Sequence, residues 1–313
     1  MYWQKEREGK DGVCMSATIK ICNLNQYYGK KQALKGVNLT IETGMFGLLG
    51  RNGAGKTTLM KVLATLLPAT EGKVSVCKRN IKRTREVRKI IGYLPQEFSM
   101  YPDMTVYEAM DYLGMLSGLG RPERKERISE LLARVNLQDD RRKRVKALSG
   151  GMKRRLGIAQ AILHDPRVLI VDEPTAGLDP EERVRFRNLL CEFAENRIVI
   201  LSTHIVGDIE STCEQIAVLD GGEIIYQGTV QELTHMAEGR VFQAEISKRK
   251  LEALKGQFTV TSMLTMGEQV MVRFLAEEKP FQAAKPCGAG VEDAYMYLMQ
   301  ERGGEGACLD SCL

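Results

Sequence analysis

The stretch MFGLLGRNGAGKTTLMKVL, residues 45–63, constrains the fold more than any other part of the chain. MFGLLG is a short continuous apolar run that ends in glycine, as a buried strand does. TTLMKVLATLL follows at helical spacing and runs up to Pro68. Between them GRNGAGKTT (Gly50–Thr58) fits G-x-x-x-x-G-K-[ST], in the strand–loop–helix setting that this motif requires. Its glycines let backbone N–H groups turn inward onto phosphates. The start of the helix adds partial positive charge at the same place. Gly50, Asn52, Gly53, Ala54, Gly55, Lys56, Thr57 and Thr58 are therefore the candidate nucleotide-binding residues. Lys56 is expected to reach the β- and γ-phosphates, and Thr57 to ligate Mg²⁺.

A second strand, in RVLIVDEP (167–174), places two carboxylates at its C-terminal end, the end at which open α/β sheets bind ligands. Asp172 is expected to hold Mg²⁺ through water, and Glu173 to polarise the attacking water as a general base. Alone, such a pair reads equally well as a strand end with solvated acids. The phosphate loop upstream favours the chemical reading.

With these two motifs in place, the chain resembles the ATP-binding subunits of ABC transporters. Leu148–Met152, LSGGM, is similar to the ABC signature. Gln96 in GYLPQEF resembles the Q-loop glutamine, Asp179 in GLDP (177–180) the acidic residue of the D-loop, and His204 in LSTH the switch histidine. Tyr28 resembles the aromatic that stacks on adenine, with Tyr27 beside it as the alternative. Arg51 departs from the family pattern, which often has proline there. The resemblance covers residues 17–230 and implies ATP and Mg²⁺ as ligands, with Gln96 sensing the metal and water and His204 contacting the γ-phosphate. It also implies a second ATPase subunit, homo- or heterodimeric and paired head to tail, so that Ser149, Gly150 and Gly151 of one chain meet the γ-phosphate held by Lys56 of the other.

The implied fold is α/β: a P-loop NTPase core of ABC type with an antiparallel β subdomain and a helical subdomain, plus a small C-terminal α+β module. Residues 17–235 would form the ATPase domain, with the helical part at 103–165, where TVYEAMDYLGMLSGL, ERKERISELLARV and GGMKRRLGIAQAIL carry helical patterns. Residues 236–313 would form the accessory module with a flexible tail. Residues 1–16 read as a disordered extension, and Met15 as the start of translation.

Composition bounds the rest. Hydrophobic residues make up 43% and charged residues 27%, which excludes wholesale disorder. Lys plus Arg number 45 against 40 Asp plus Glu, a net +5 that does not by itself imply nucleic acid. The basic runs 78–89 and 141–146 lack interleaved aromatics and read as solvated faces. No apolar run approaches the ~18 residues of a membrane span, and the first residues are too polar for a signal peptide. The expected location is the cytoplasm, peripheral on the inner face of the cell membrane through a permease. Eight cysteines with no C-x-x-C pair and three histidines argue against a zinc site, leaving Cys308 and Cys312 as a tail pair.

The stretches 92–114, 171–210 and 291–299 resemble ATPases of ABC-2 type exporters of drugs, antibiotics and similar compounds. Integral-membrane permease subunits on a separate chain are then the expected partners. A soluble ATPase acting on ribosomes or nucleic acid is the alternative, and nucleic acid is not expected as a partner.

Overall fold

The computed structural model describes residues 17–174 and 178–309, of which 303–309 by backbone alone. The extension 1–16 with Met15, Gly177 of the GLDP stretch, the Cys308 side chain and Cys312 lie outside the described residues.

Strands β1 (Thr18–Tyr28) and β2 (Lys31–Glu42) form an antiparallel hairpin in which Ile19 faces Ile41 and Ile21 faces Leu39. Their alternating apolar side chains are buried, as the period of 2 requires. Strand β3 (Gly44–Leu49) is the apolar run before the phosphate loop, and helix α1 (Lys56–Leu63) follows the loop. The sequence predicts this helix up to Pro68, but it ends at Leu63. Thr65 adopts φ 59°, a left-handed conformation that no α-helix continues through. Arg88 fixes that bend, donating from Nε to Thr65 Oγ1 at 2.7 Å and from Nη2 to its carbonyl at 2.9 Å.

Strands β4 (Glu71–Val76) and β5 (Arg79–Asn80) complete a four-stranded sheet of order β2-β1-β4-β5, the antiparallel β subdomain. A short helix α2 (Thr84–Arg88) leads into β6 (Ile91–Leu94). Three helices come next: α3 (Val106–Leu116), α4 (Arg121–Arg134) and α5 (Gly150–Ala161). A capping box between Thr105 and Glu108 starts α3, and Arg124 of α4 pairs with Asp111 of α3 at 2.5 Å.

Strand β7 (Val168–Asp172), helix α6 (Pro180–Ala194) and strand β8 (Ile198–Thr203) return to the α/β pattern. β6, β7 and β8 run parallel, with Gly92 beside Leu169 and Leu169 beside Val199. Gly92 has to be glycine, since a Cβ there would lie 2.1 Å from the carbonyl oxygen of Ala161. Helix α7 (Val206–Glu210), strands β9 (Gln215–Asp220) and β10 (Glu223–Thr229) and helix α8 (Val230–His235) follow. The strand order of this sheet is β10-β9-β3-β8-β7-β6.

The remaining chain forms an antiparallel sheet of order β12-β13-β11-β14, from β11 (Val241–Ser247), β12 (Thr259–Met266), β13 (Gln269–Leu275) and β14 (Lys285–Pro286). Helix α9 (Lys248–Lys255) packs on it over a core that includes Phe242, Leu254, Val272 and Phe274. Helix α10 (Val291–Leu309) ends the described chain. Its first turn is pinned to this sheet by Asp293. That carboxylate accepts from Thr261 Oγ1 at 2.6 Å, from Arg273 Nε at 3.0 Å and Nη2 at 2.5 Å, and from the Gly290 N–H at 2.8 Å.

The chain packs as two compact units. One holds the described residues up to Phe46 together with Gly53–Ser202 and Gly221–Ile224, and the other holds Gly47–Asn52, Thr203–Asp220 and residues from Ile225 onward. Position 236 falls inside the second unit, after α8.

Candidate functional site

The phosphate loop runs from buried Gly50 at the end of β3 to Gly55, which takes φ 111° and occupies the cap position of α1 with no side-chain cap. The first N–H groups of α1 therefore have no partner from the cap side chain, as an anion-binding helix start requires. Gly53, at φ 84°, is another position that favours glycine, while Asn52 and Gly53 are exposed and Ala54 is buried. Thr57 and Thr58 continue the helix, both half-buried.

Lys56 is the first residue of α1, and its side chain is only 4% exposed. Its Nζ lies 3.7 Å from Glu173 Oε1. Burial pushes the Lys56 amine down, and the negative charges of Glu173 and Asp172 oppose that shift. Glu173 in turn accepts from Gln96 Nε2 at 3.0 Å. Glu173 itself sits at φ 46°, a conformation that costs a non-glycine residue about 1–3 kcal/mol. Its N–H donates to the Ser202 carbonyl at 2.9 Å, so pairing with the neighbouring strand holds this strained residue in place.

Asp172, the last residue of β7, is fully buried. Neither carboxylate oxygen has a partner at hydrogen-bonding distance. The hydroxyls of Thr57 and Ser202 are close enough to ease its charge without satisfying it, and burial, the largest influence, pushes its pKa up. A buried carboxylate without partners is costly. A hard cation with oxygen ligands would satisfy this carboxylate, so its chemistry fits Mg²⁺.

The sequence does not single out Arg154, yet it joins these parts. From α5 its guanidinium donates to the carbonyls of Glu173 at 2.6 Å, of Pro174 at 2.9 Å, and of Gln96. Burial lowers its pKa, and Asp172 and Glu173 counter that. In the sequence Arg154 is the middle of Lys153–Arg155, a basic triplet on a helix, which carries no sign of burial.

The other expected residues are placed as follows. Ser149 is the cap of α5, its Oγ accepting from the Met152 N–H at 3.3 Å. Ser149 and Gly150 are exposed, and Gly151 is partly so. Asp179 caps α6 by accepting from the Glu182 N–H at 2.9 Å, and is also exposed. Tyr28 stands at the end of β1, 48% exposed against 37% for Tyr27. His204 follows β8 directly and is exposed; it belongs to the second unit, as do Gly50 and Asn52. Direct contacts thus unite Lys56, Glu173 and Gln96 beside Asp172, while Tyr28, Ser149, Gly150 and Asp179 face outward.

The family described as ABC transporter matches residues 34–176. The ABC transporter ATP-binding protein YxlF of Bacillus subtilis (strain 168) is 39% identical over 75% of this chain and 78% of its own length. The chain belongs to the ATP-binding proteins of ABC transporters. Other members of the family are also similar to it. The linearmycin resistance ATP-binding protein LnrL of B. subtilis is 37% identical, covering 67% of this chain and 69% of that one. The Nod factor export ATP-binding protein I of Cupriavidus metallidurans is 33% identical over 88% and 92%. Among solved structures, the dimeric post-hydrolysis state of the ATP-binding cassette MJ0796 bound to ADP and Pi aligns at TM-score 0.62 and 26% identity, covering 67% of this chain and 98% of that one. Among the described residues, no helix is long and apolar enough to cross a membrane.

Proposed function

We propose that this ABC protein hydrolyses ATP to power a separately encoded membrane permease, an exporter of the ABC-2 type that removes drugs, antibiotics or similar compounds. The observation that carries the catalytic part is the continuous contact from Gln96 through Glu173 to Lys56, beside the unpartnered carboxylate of Asp172. Lys56 and the loop residues Gly50 to Thr58 bind the phosphates. Glu173 accepts a proton from the water that attacks the γ-phosphate, and Gln96 orients Glu173 and that water. Tyr28 stacks on adenine, and His204 contacts the γ-phosphate. Mg²⁺ would be held by Thr57, Gln96 and Asp172, and would supply positive charge against the phosphate oxygens.

The exposed caps Ser149 and Asp179, with Gly150 and Gly151, serve a second ATPase subunit, whose ATP they meet across the interface. ATP then favours the paired state because it binds that state better. The names of LnrL and the Nod factor protein support resistance or export as the transported function. Through its permease the chain sits at the inner face of the membrane. To test this, a tagged Glu173→Gln form is expressed in its native cell, and the membranes are solubilised mildly with ATP present. A multi-span membrane protein recovered at near-equal stoichiometry is the expected result. Recovery of ribosomes or nucleic acid, or of no partner, would move the protein to the soluble ATPases.

A further inference from the structure

Two consecutive arginines of α5 hold the chain on either side of the GLDP stretch. Arg154 holds it before, at the carbonyls of Glu173 and Pro174. Arg155 holds it after, on α6: its Nε lies 3.2 Å from Glu182 Oε2, and each side chain is 19% exposed. The other oxygen of that carboxylate faces Arg185 of the same helix at 3.9 Å. Arg155 has a second task at the end of α4. Its Nη1 donates to the carbonyls of Val135 at 3.0 Å and Asn136 at 2.9 Å. Asn136 has left the helix at φ 54°, and the last carbonyls of a helix need donors from outside it. A guanidinium at that end also meets the negative pole of the helix. One planar fork thus joins the end of α4 to the start of α6, which an ammonium on a flexible stem would not reproduce.

The N–H of Glu182 is the one that the Asp179 carboxylate caps, at 2.9 Å. On α5, Arg155 follows six residues after the cap Ser149. The ion pair therefore links two helix starts, each carrying an exposed cap. The same two segments also meet nearer the caps. Gly151 lies beside Leu178, where a Cβ would sit in ordinary contact, 3.8 Å from Leu178 Cδ2. All of these residues belong to one compact unit.

We propose that Arg155 and Glu182 are positioning residues for the surface that receives the second ATPase subunit: they fix Ser149 and Asp179 relative to one another before that subunit and its ATP arrive. A surface that is already ordered loses less conformational freedom on association. The inference rests on the reading of Ser149 and Asp179 as contacts to a second subunit, and takes that subunit to be a second copy of this chain.

The test uses the full chain carrying Glu173→Gln, so that bound ATP persists. Sedimentation with ATP and Mg²⁺ gives the dimer dissociation constant. Binding of a fluorescent ATP analogue at low protein concentration gives the nucleotide Kd of the monomer. Glu182→Gln keeps the size of the side chain and the capped N–H. It is expected to raise the dimer constant about tenfold, about threefold for each of the two equivalent sites of a two-fold dimer. The nucleotide Kd should stay within about twofold, a split that a merely weakened fold would not give. Arg155→Lys keeps the charge without the fork and should weaken the dimer at least as much. Adding Glu182→Gln to it should cost little further. Glu130→Gln, which breaks a pair with Arg134 on α4, is the control with an unchanged dimer constant. An equal loss in Glu130→Gln would overturn the proposal, and so would a parallel loss of nucleotide affinity in Glu182→Gln. If Glu173→Gln alone forms no dimer with ATP, the second copy falls and takes the inference with it. If Glu173→Gln dimerises and Glu182→Gln leaves the dimer as tight, only the positioning role falls.

Discussion

Two aspartates, one at the phosphate site and one in the C-terminal module, are buried to nearly the same degree and treated in opposite ways. Asp293 is 3% exposed, and five hydrogen bonds from Thr261, Arg273 and the Gly290 N–H reach its carboxylate. Asp172 is fully buried, and neither of its oxygens has a partner. Burial raises the pKa of both. At Asp293 the hydrogen bonds and the Arg273 charge outweigh it and hold the carboxyl below its usual range; at Asp172 burial prevails. The first arrangement stabilises a fold. The second costs stability and persists because the site has other work, which is the general signature of a functional carboxylate.

The largest expected effect lies beside the unpartnered aspartate. Glu173→Gln should lower turnover by about 10²–10⁴, the usual weight of a general base, while ATP binding is retained. Wild-type-like hydrolysis in that variant would remove Glu173 from its role. Next comes Asp293→Ala. It leaves the Arg273 guanidinium without its carboxylate partner, keeping only the Gly288 carbonyl, and should cost about 3 kcal/mol in urea denaturation. Asp172→Asn should not destabilise the protein at all, and an equal loss from both substitutions would erase the contrast. Arg154→Ala removes three carbonyl contacts that tie α5 to the Glu173 and Gln96 segments, and should slow turnover by about tenfold with little change in ATP affinity. A pure loss of affinity would assign Arg154 to binding instead.

The smallest effect is on pH dependence, and the two aspartates give it opposite signs. Asp293 has a depressed folded pKa, so its contribution is complete above the unfolded value near 4 and is lost as pH falls through the folded value. Asp172 has a raised folded pKa, so its ionised form costs stability above that value and acidification relieves the cost. In denaturation series from pH 7 to pH 3, Asp293→Ala should therefore lose less stability than wild type. The advantage of Asp172→Asn over wild type should shrink toward low pH. Parallel curves for the three proteins would contradict both assignments.

The sequence makes the strand–loop–helix of residues 45–63 and the strand 168–172 legible because their information is local: apolar runs, glycine spacing and a terminal acid pair. The three helices within 103–165 are legible for the same reason. What it hides is set by partners distant in the chain. Arg154 looks like any solvated arginine until its three carbonyl acceptors, on segments 19 to 58 residues away, are brought to it. The early end of α1 depends on Thr65 being held by Arg88, which lies in the basic run that reads as a solvated face. The same run also contributes β5 and α2. The left-handed backbone at Glu173 has no sequence signal either, since glutamate is not a residue that prefers it.

The most direct measurement is the thermal midpoint of wild type and Asp172→Asn, each with ATP in Mg²⁺ and with ATP in chelator. A ligand bound only by the folded state raises the midpoint, and at a fixed concentration a tighter ligand raises it more. If the buried Asp172 carboxylate serves the cation that accompanies ATP, Mg²⁺ will add to the ATP-induced rise in wild type and add little in Asp172→Asn. An equal Mg²⁺-dependent rise in both proteins would show that the unpartnered carboxylate has no part in holding the metal.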